Sequence, residues 1–155
     1  MPEIRFDLEG SAGEYIVFRL GVQEFGIDIM SVREIRGWTP ATALPHAPPF
    51  VRGVINLRGV VLPIIDLAER LGFPPIQATA RQVIIVVQVG SRLVGLLVDA
   101  VSDILTHSND KIQPAPDVAS DMVKAFIQGM LALDDRMIGI VRLDSIAPSQ
   151  LQEAA

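Results

Sequence analysis

The stretch YIVFRLGVQEFGIDIMSVREI, residues 15 to 35, decides how the chain is read, because a second stretch repeats it. Sliding the sequence by 69 positions lays it on IIVVQVGSRLVGLLVDAVSDI, residues 84 to 104. Ile16 then meets Ile85, Gly21 meets Gly90 and Gly26 meets Gly95. Val32 meets Val101, and Ile35 meets Ile104. Further on the register becomes 76, and FVRGVINLRGVVLPIIDL (50–67) lies on FIQGMLALDDRMIGIVRL (126–143). One insertion of seven residues between Pro114 and Phe126 reconciles the two registers. Self-similarity of this kind marks two copies of one small unit.

Each unit is short, rich in Val and Ile, and punctuated by Gly and Pro, which is the pattern of an all-β barrel or sandwich. The predicted order in each copy is strand, turn, strand, short helix, strand, strand, hairpin, strand. About five strands per copy suit a small closed or nearly closed barrel, which hides its edges. A barrel of that size is marginal alone, so the two share a core and act as one domain. Between them Asp66 suits the cap of a short helix ended by Gly72, and Pro74-Pro75 forces an extended connection. The predicted layout is a flexible segment over 1–13 and a single domain over 14–151. Within it the first barrel covers about 14–67, a connector 68–81, the second barrel about 82–143 and a C-terminal helix 144–155. Strand exchange between the copies is compatible with the same sequence.

Composition narrows the function. The chain has 155 residues, half of them hydrophobic, and a formal net charge of −5. That balance does not favour nucleic acid as a partner. No cysteine is present, so disulfides and thiolate metal sites are excluded. No apolar run approaches the roughly 20 residues of a membrane span, and the polar start carries no leader pattern, so a soluble cytoplasmic protein is expected.

The repeat is also an internal control. Positions equal in both copies belong to the shared fold, and positions that differ are freer to carry function. Arg58-Gly59 faces Asp134-Asp135, so the hairpin turn does not demand arginine. Glu34 faces Asp103 at the end of each expected helix, and Asp66 faces Arg142. The simpler reading of these acids is a solvated polar position. His46 and His107 are the only histidines and lack ligand spacing, so surface loop positions are the simpler reading for them. Asp99 reads as the cap of the second helix, Asp134-Asp135 as a turn and Trp38 as half-buried packing. No nucleophile, phosphate loop or metal-ligand set accompanies them, so no catalytic residue, cofactor or metal is expected.

YIVFRLGVQEFGIDIMSVREIRGW, FVRGVINLRGVVLPIIDL, LVGLLVDAVSDIL and FIQGMLALDDRMIGIVRLD together resemble the CheW family of chemotaxis coupling proteins, from about Glu14 to Leu151. GIDI-x-x-V-x-EIRG at 26–37 and GVINLRG at 53–59 carry the resemblance most specifically. The same domain occurs in the chemotaxis kinase CheA and in CheV, which are longer chains, so a stand-alone coupling protein fits best.

The resemblance implies a mostly β fold of two similar five-stranded, SH3-like barrels with short helices. It implies a non-enzymatic adaptor that couples methyl-accepting chemoreceptors to the histidine kinase CheA in a two-component signalling array. The implied partners are the receptor's cytoplasmic helical tip and the regulatory domain of CheA. It leaves room for self-association in array rings, without nucleic acid and without membrane insertion. Recruitment to membrane-associated receptor arrays follows from the same role.

Val32, Glu34 and Ile35, with Val101 and Ile104 of the second copy, match family positions tied to docking. Gly53, Asn56 and Arg58 match its hairpin motif, and Glu34 is expected to form an ion pair with Arg58. Plain core is the competing reading for Val32, Ile35, Val101 and Ile104. A CheW-like scaffold of a parallel chemosensory pathway is the alternative role. A small-ligand barrel would require Arg58, Asp66 and His46 to converge on one cavity.

Overall fold

The computed structural model describes residues 12–77, 81–108, 111–116 and 121–146. Its strands are β1 (Ala12–Leu20), β2 (Gln23–Asp28), β3 (Val32–Gly37), β4 (Val51–Leu57) and β5 (Val60–Asp66). The second copy supplies β6 (Val83–Val89), β7 (Arg92–Val98), β8 (Ala100–Ser108), β9 (Ile127–Leu133) and β10 (Arg136–Val141). Three one- to two-turn helices complete the description, α1 (Leu67–Arg70), α2 (Asp121–Phe126) and α3 (Leu143–Ile146). The expected flexibility of 1–13 concerns residues that lie, but for the last two, outside those described. Only the first turn of the expected 144–155 helix is within them.

The strands form two five-stranded sheets, β8-β1-β2-β10-β9 and β3-β6-β7-β5-β4. The hairpin β1–β2 of the first copy therefore joins β8, β9 and β10 of the second. The hairpin β6–β7 joins β3, β4 and β5. This corrects the expected layout, in which residues 14–67 formed one barrel and 82–143 the other. Those spans are the repeat units, and each sheet draws on both of them. One residue, Asp99, separates β7 from β8, and a three-residue 3-10 turn, Ile29–Ser31, separates β2 from β3. Neither link reverses the chain into a hairpin, and the third strand of each copy continues into the other sheet.

The two halves are near copies. Gly21 and Gly90 turn their hairpins at φ of 64° and 62°. A register shift falls at Arg33 in β3 and at Ser102 in β8, which are equivalent, and another at Arg52 and at Gln128, also equivalent. Parallel pairing sets Gly26 against Ile140 in one sheet and Gly95 against Ile64 in the other. A Cβ on Gly95 would come to 2.6 Å from Ile64 Cδ1, so the close approach needs glycine.

The core follows from this exchange. Ile16, Phe18, Leu20, Phe25 and Ile27 of the first sheet pack in one cluster with Leu62, Ile64, Ile84, Ile85, Leu96 and Leu97 of the second. A smaller cluster of Tyr15, Val17, Leu131, Ile138 and Ile140 fills the first sheet's own hollow. A central strand such as β6 is buried on both faces, which explains its unbroken apolar run. The sheets are not closed barrels, since the ladder does not link the first strand to the last. The SH3-like description nevertheless fits their curl.

Candidate functional site

The expected short helices carrying Val32, Glu34 and Ile35, and Val101 and Ile104, are strands. β3 alternates half-buried and exposed side chains along its length, as an edge strand does. Val32 and Ile35 share the i, i+3 spacing of a helix face, and in the strand the bulge at Arg33 leaves both on one face, paired with Val87 and Ile85. Asp99 caps no helix. Its Oδ2 accepts from the Gly21 N–H at 2.7 Å and its Oδ1 from Gln82 Nε2 at 3.2 Å.

Register explains the exposure of two isoleucines. Ile35 pairs with Ile85 and Ile104 pairs with Ile16, so each pair shares a face. Ile85 and Ile16 are buried in the cluster joining the sheets. Ile35 and Ile104 extend that apolar face onto the edge strands, where they are 44% and 55% exposed. Val32 and Val101 pack against the core instead.

The second half of the site is the β4–β5 hairpin. Leu57 pairs with Val60, leaving Arg58-Gly59 as a two-residue turn. Their φ values, 50° and 88°, are both positive, as a type I′ turn requires. Asn56 Oδ1 accepts from the Gly59 N–H at 2.7 Å and so fixes the turn. Gly53 is buried at φ 142°, where a Cβ would run into the Thr42 carbonyl. Asn56 and Gly53 thus shape the hairpin, while Arg58 projects from it with 71% of its side chain exposed.

Arg58 Nη2 donates to Glu34 Oε1 at 2.7 Å, the expected ion pair. Arg36 Nη1 approaches the other carboxylate oxygen at 3.4 Å. The Arg58 hydrogen bond, with both guanidiniums nearby, holds the Glu34 carboxyl below its usual range. β3 and the β4–β5 turn lie at opposite edges of their sheet, roughly 17 Å apart were it flat. A 2.7 Å contact requires the sheet to roll up, so this pair bridges the seam of a nearly closed barrel.

The other sheet bridges its seam the same way. Asp103, the counterpart of Glu34, meets Arg136 at 3.1 Å, and Arg136 also binds Glu24 through two hydrogen bonds of 3.0 and 2.8 Å. That contact pulls the Glu24 carboxyl down and the guanidinium pKa up. The reading of Asp103 as a solvated acid overlooked Arg136, because Arg136 starts a strand rather than occupying the turn. Asp66 caps α1 as expected, through the Glu69 N–H at 3.1 Å, but it is no solvated acid: it is fully buried and also accepts from Arg52 Nη2 at 2.8 Å and the Ile76 N–H at 2.9 Å.

Among the described residues, His46, Asp66 and Arg58 do not share one environment. His46 sits exposed in a loop at φ 62°, far in character from buried Asp66, and Arg58 points outward. Among the described residues no group of three His, Asp or Glu could hold a metal ion. A cleft of about 500 Å³ does exist in the first sheet, lined by Phe25, Leu71, Phe73, Ile127, Met130 and Met137 among others. None of Arg58, Asp66 and His46 is among the residues that line it. No described helix is long and apolar enough to cross a membrane.

Residues 14–151 match the model of the CheW-like domain. The chain belongs to the CheW family. It is 61% identical over 148 residues to the chemotaxis protein CheW of Rhizobium meliloti, covering 96% of both chains. The chemotaxis protein CheW of Klebsiella aerogenes is 39% identical, over 88% of this chain and 82% of its own. Among solved structures, the scaffolding protein TtCheW from Thermoanaerobacter tengcongensis superposes with a TM-score of 0.79 at 35% identity, covering 86% of this chain and 91% of that one. CheW family membership supports a scaffold role in chemotaxis signalling.

Proposed function

We propose that this CheW-family chain is the adaptor that holds the histidine kinase CheA to the cytoplasmic tips of chemoreceptors, and that Glu34, Arg58, Ile35 and Ile104 are contacted by those partners. Gly53 and Asn56 serve by shaping the hairpin, and Val32 and Val101 by backing the two isoleucines. The observation that carries the reading is the Arg58 guanidinium, mostly exposed yet anchored on Glu34 at 2.7 Å. The second copy turns its equivalent two-residue hairpin with Asp134-Asp135, so a hairpin at this place does not call for arginine. A fork held at one end presents its free donors in a fixed direction to a partner's carboxylates or carbonyls. Ile35 and Ile104 offer apolar contacts to the stripe of a helical hairpin. Each contact can be modest, because array assembly raises the effective concentration. Recruitment to the membrane-associated array follows from the same contacts.

Arg58→Ala is the test, in a reconstituted receptor–kinase array. Binding to receptor tip or kinase falls roughly thirtyfold, as for a central interface arginine, and kinase activation falls with it, while the melting temperature hardly moves. Arg58→Lys restores only part. Full activation by Arg58→Ala would refute the role.

A further inference from the structure

The first sheet has two faces, and Tyr15, Val17, Leu131, Ile138 and Ile140 of one face fill its hollow. The opposite face carries the cleft. Phe25 pairs with Gly139, and Gly139 with Met130, so the three stand in one row across β2, β10 and β9. Bare backbone at Gly139 therefore forms a floor between Phe25 and Met130. The repeat does not ask for glycine there, because the corresponding position of the first copy is Pro63. A Cβ on Gly139 would press on the Phe25 ring at 3.1 Å. Gln23 and Met137, two residues before Phe25 and Gly139, continue the same face to the rim.

The wall opposite comes from the connector after α1. Leu71 and Phe73 line the cleft, and the Phe73 ring lies 6.1 Å from that of Phe25. The connector is tied down around them. The Phe73 N–H donates to the Ala68 carbonyl at 2.8 Å, and the Ile76 N–H to Asp66 Oδ2 at 2.9 Å. The cleft is thus formed without any partner. Its apolar lining runs out into solvent, where Val22 and Met137 are 93% and 56% exposed. Exposed apolar side chains gathered at a cleft mark a docking surface.

Charge decides what fits. Arg136 at the rim is already neutralised, since Nη2 donates to Glu24 at 2.8 Å and to Asp103 at 3.1 Å. Asp135 lines the cleft and Asp134 precedes it in the turn. Both are exposed, and no described residue bonds to either carboxylate. An anionic rim over an apolar floor favours a cationic, amphipathic occupant. Strand addition is closed off, because β10 in the floor is flanked by β2 and β9 and offers no edge. Side chains must make the contact, and a helix delivers them from i and i+4 on one side.

We propose that this cleft receives an amphipathic helix of a partner protein. Two large apolar side chains one turn apart enter between Phe25, Phe73 and Met130, and lysine or arginine on the same helix meets Asp134 and Asp135. The surface uses none of Glu34, Arg58, Ile35 and Ile104, so it stands or falls separately from the adaptor reading.

Methionine-methyl NMR on the full chain tests it. Met130 and Met137 sit in the cleft, and Met30, in the turn between β2 and β3, lies outside it. The probe is a synthetic amphipathic helical peptide with leucines at i and i+4 and lysines beside them, and a second peptide replaces each lysine by glutamate. The lysine peptide is expected to shift Met130 and Met137 saturably and to leave Met30 in place. It should bind roughly tenfold more tightly than the glutamate peptide, the worth of about two rim charge pairs. Asp134→Asn with Asp135→Asn should remove most of that preference. Met137→Gln, at an exposed position where the fold is not at stake, should weaken the lysine peptide several-fold. Silence at Met130 and Met137, shifts centred on Met30, or equal binding of the two peptides overturns the proposal. So do shifts of Met130 and Met137 that grow with protein concentration alone, which would give the cleft to a second copy.

Discussion

Arg58 stands at a φ of 50°, a conformation that costs a non-glycine residue energy, and Asp134 stands at the same φ in the other hairpin. The turn imposes the strain in both copies, so the strain says nothing of arginine's purpose. What distinguishes Arg58 is its bond to Glu34 across the seam. Glu34 has a folded pKa below its unfolded value. Its contribution to stability is therefore present at pH above the unfolded value and is lost as pH falls through the folded one. Carboxyl NMR should find Glu34 titrating below an ordinary glutamate in the parent and moving back up in Arg58→Ala. Added salt should shrink the difference, because the pair is open to solvent. A Glu34 midpoint indifferent to Arg58 would mean that the pair does not persist in solution.

Element by element, the edge strands β3 and β8 carry both structural and surface residues, and the two kinds can be separated by substitution. Val32 packs on the core, so Val32→Asp should cost about 2–3 kcal/mol through a half-buried charge. Ile35 is exposed, so Ile35→Asp should keep the melting temperature and weaken partner binding. Thermal melts beside a binding assay separate the two. The β4 and β9 glycines make a matched pair of a different kind. A Cβ at Gly129 would lie 2.6 Å from the Gln113 carbonyl oxygen, and one at Gly53 would meet that of Thr42. These are the two equivalent bridges, Gln113 with Met130 and Thr42 with Val54. Each Gly→Ala should cost about 3 kcal/mol, seen as a lower denaturation midpoint, with Gly53→Ala the worse because its φ is also forbidden to alanine.

At the scale of the molecule, strand exchange makes the two copies mutually dependent. A fragment of residues 12–77 holds only two strands of one sheet and three of the other, and 81–146 holds the remainder. Two-stranded pieces are marginal in water. Neither fragment should show a folded β spectrum by circular dichroism alone. Mixing the two should restore it in a 1:1 complex, with Trp38 fluorescence reporting the packing. Independent folding of either half would contradict the exchanged topology. The same exchange makes the inter-sheet cluster the principal core, so the two sheets are expected to unfold in one transition.

The sequence by itself determined the repeat, the strand count of each copy, the turns at Gly21, Gly90, Arg58-Gly59 and Asp134-Asp135, and the Asp66 cap. Each depends on residues near one another in the chain: alternation, turn chemistry and capping are local, and the second copy confirmed them. The Glu34–Arg58 pair was legible only through the family motif, because 24 residues separate its members. Tertiary structure alone decided which hairpin joins which sheet, because strands of equal pattern can pair within a copy or between copies with the same local energetics. It alone turned the supposed docking helices into edge strands, since i, i+3 spacing and half-buried alternation look alike over six residues. And it alone buried Asp66 and tied Asp103 to Arg136, because the burial of a charge depends on what the rest of the chain packs around it.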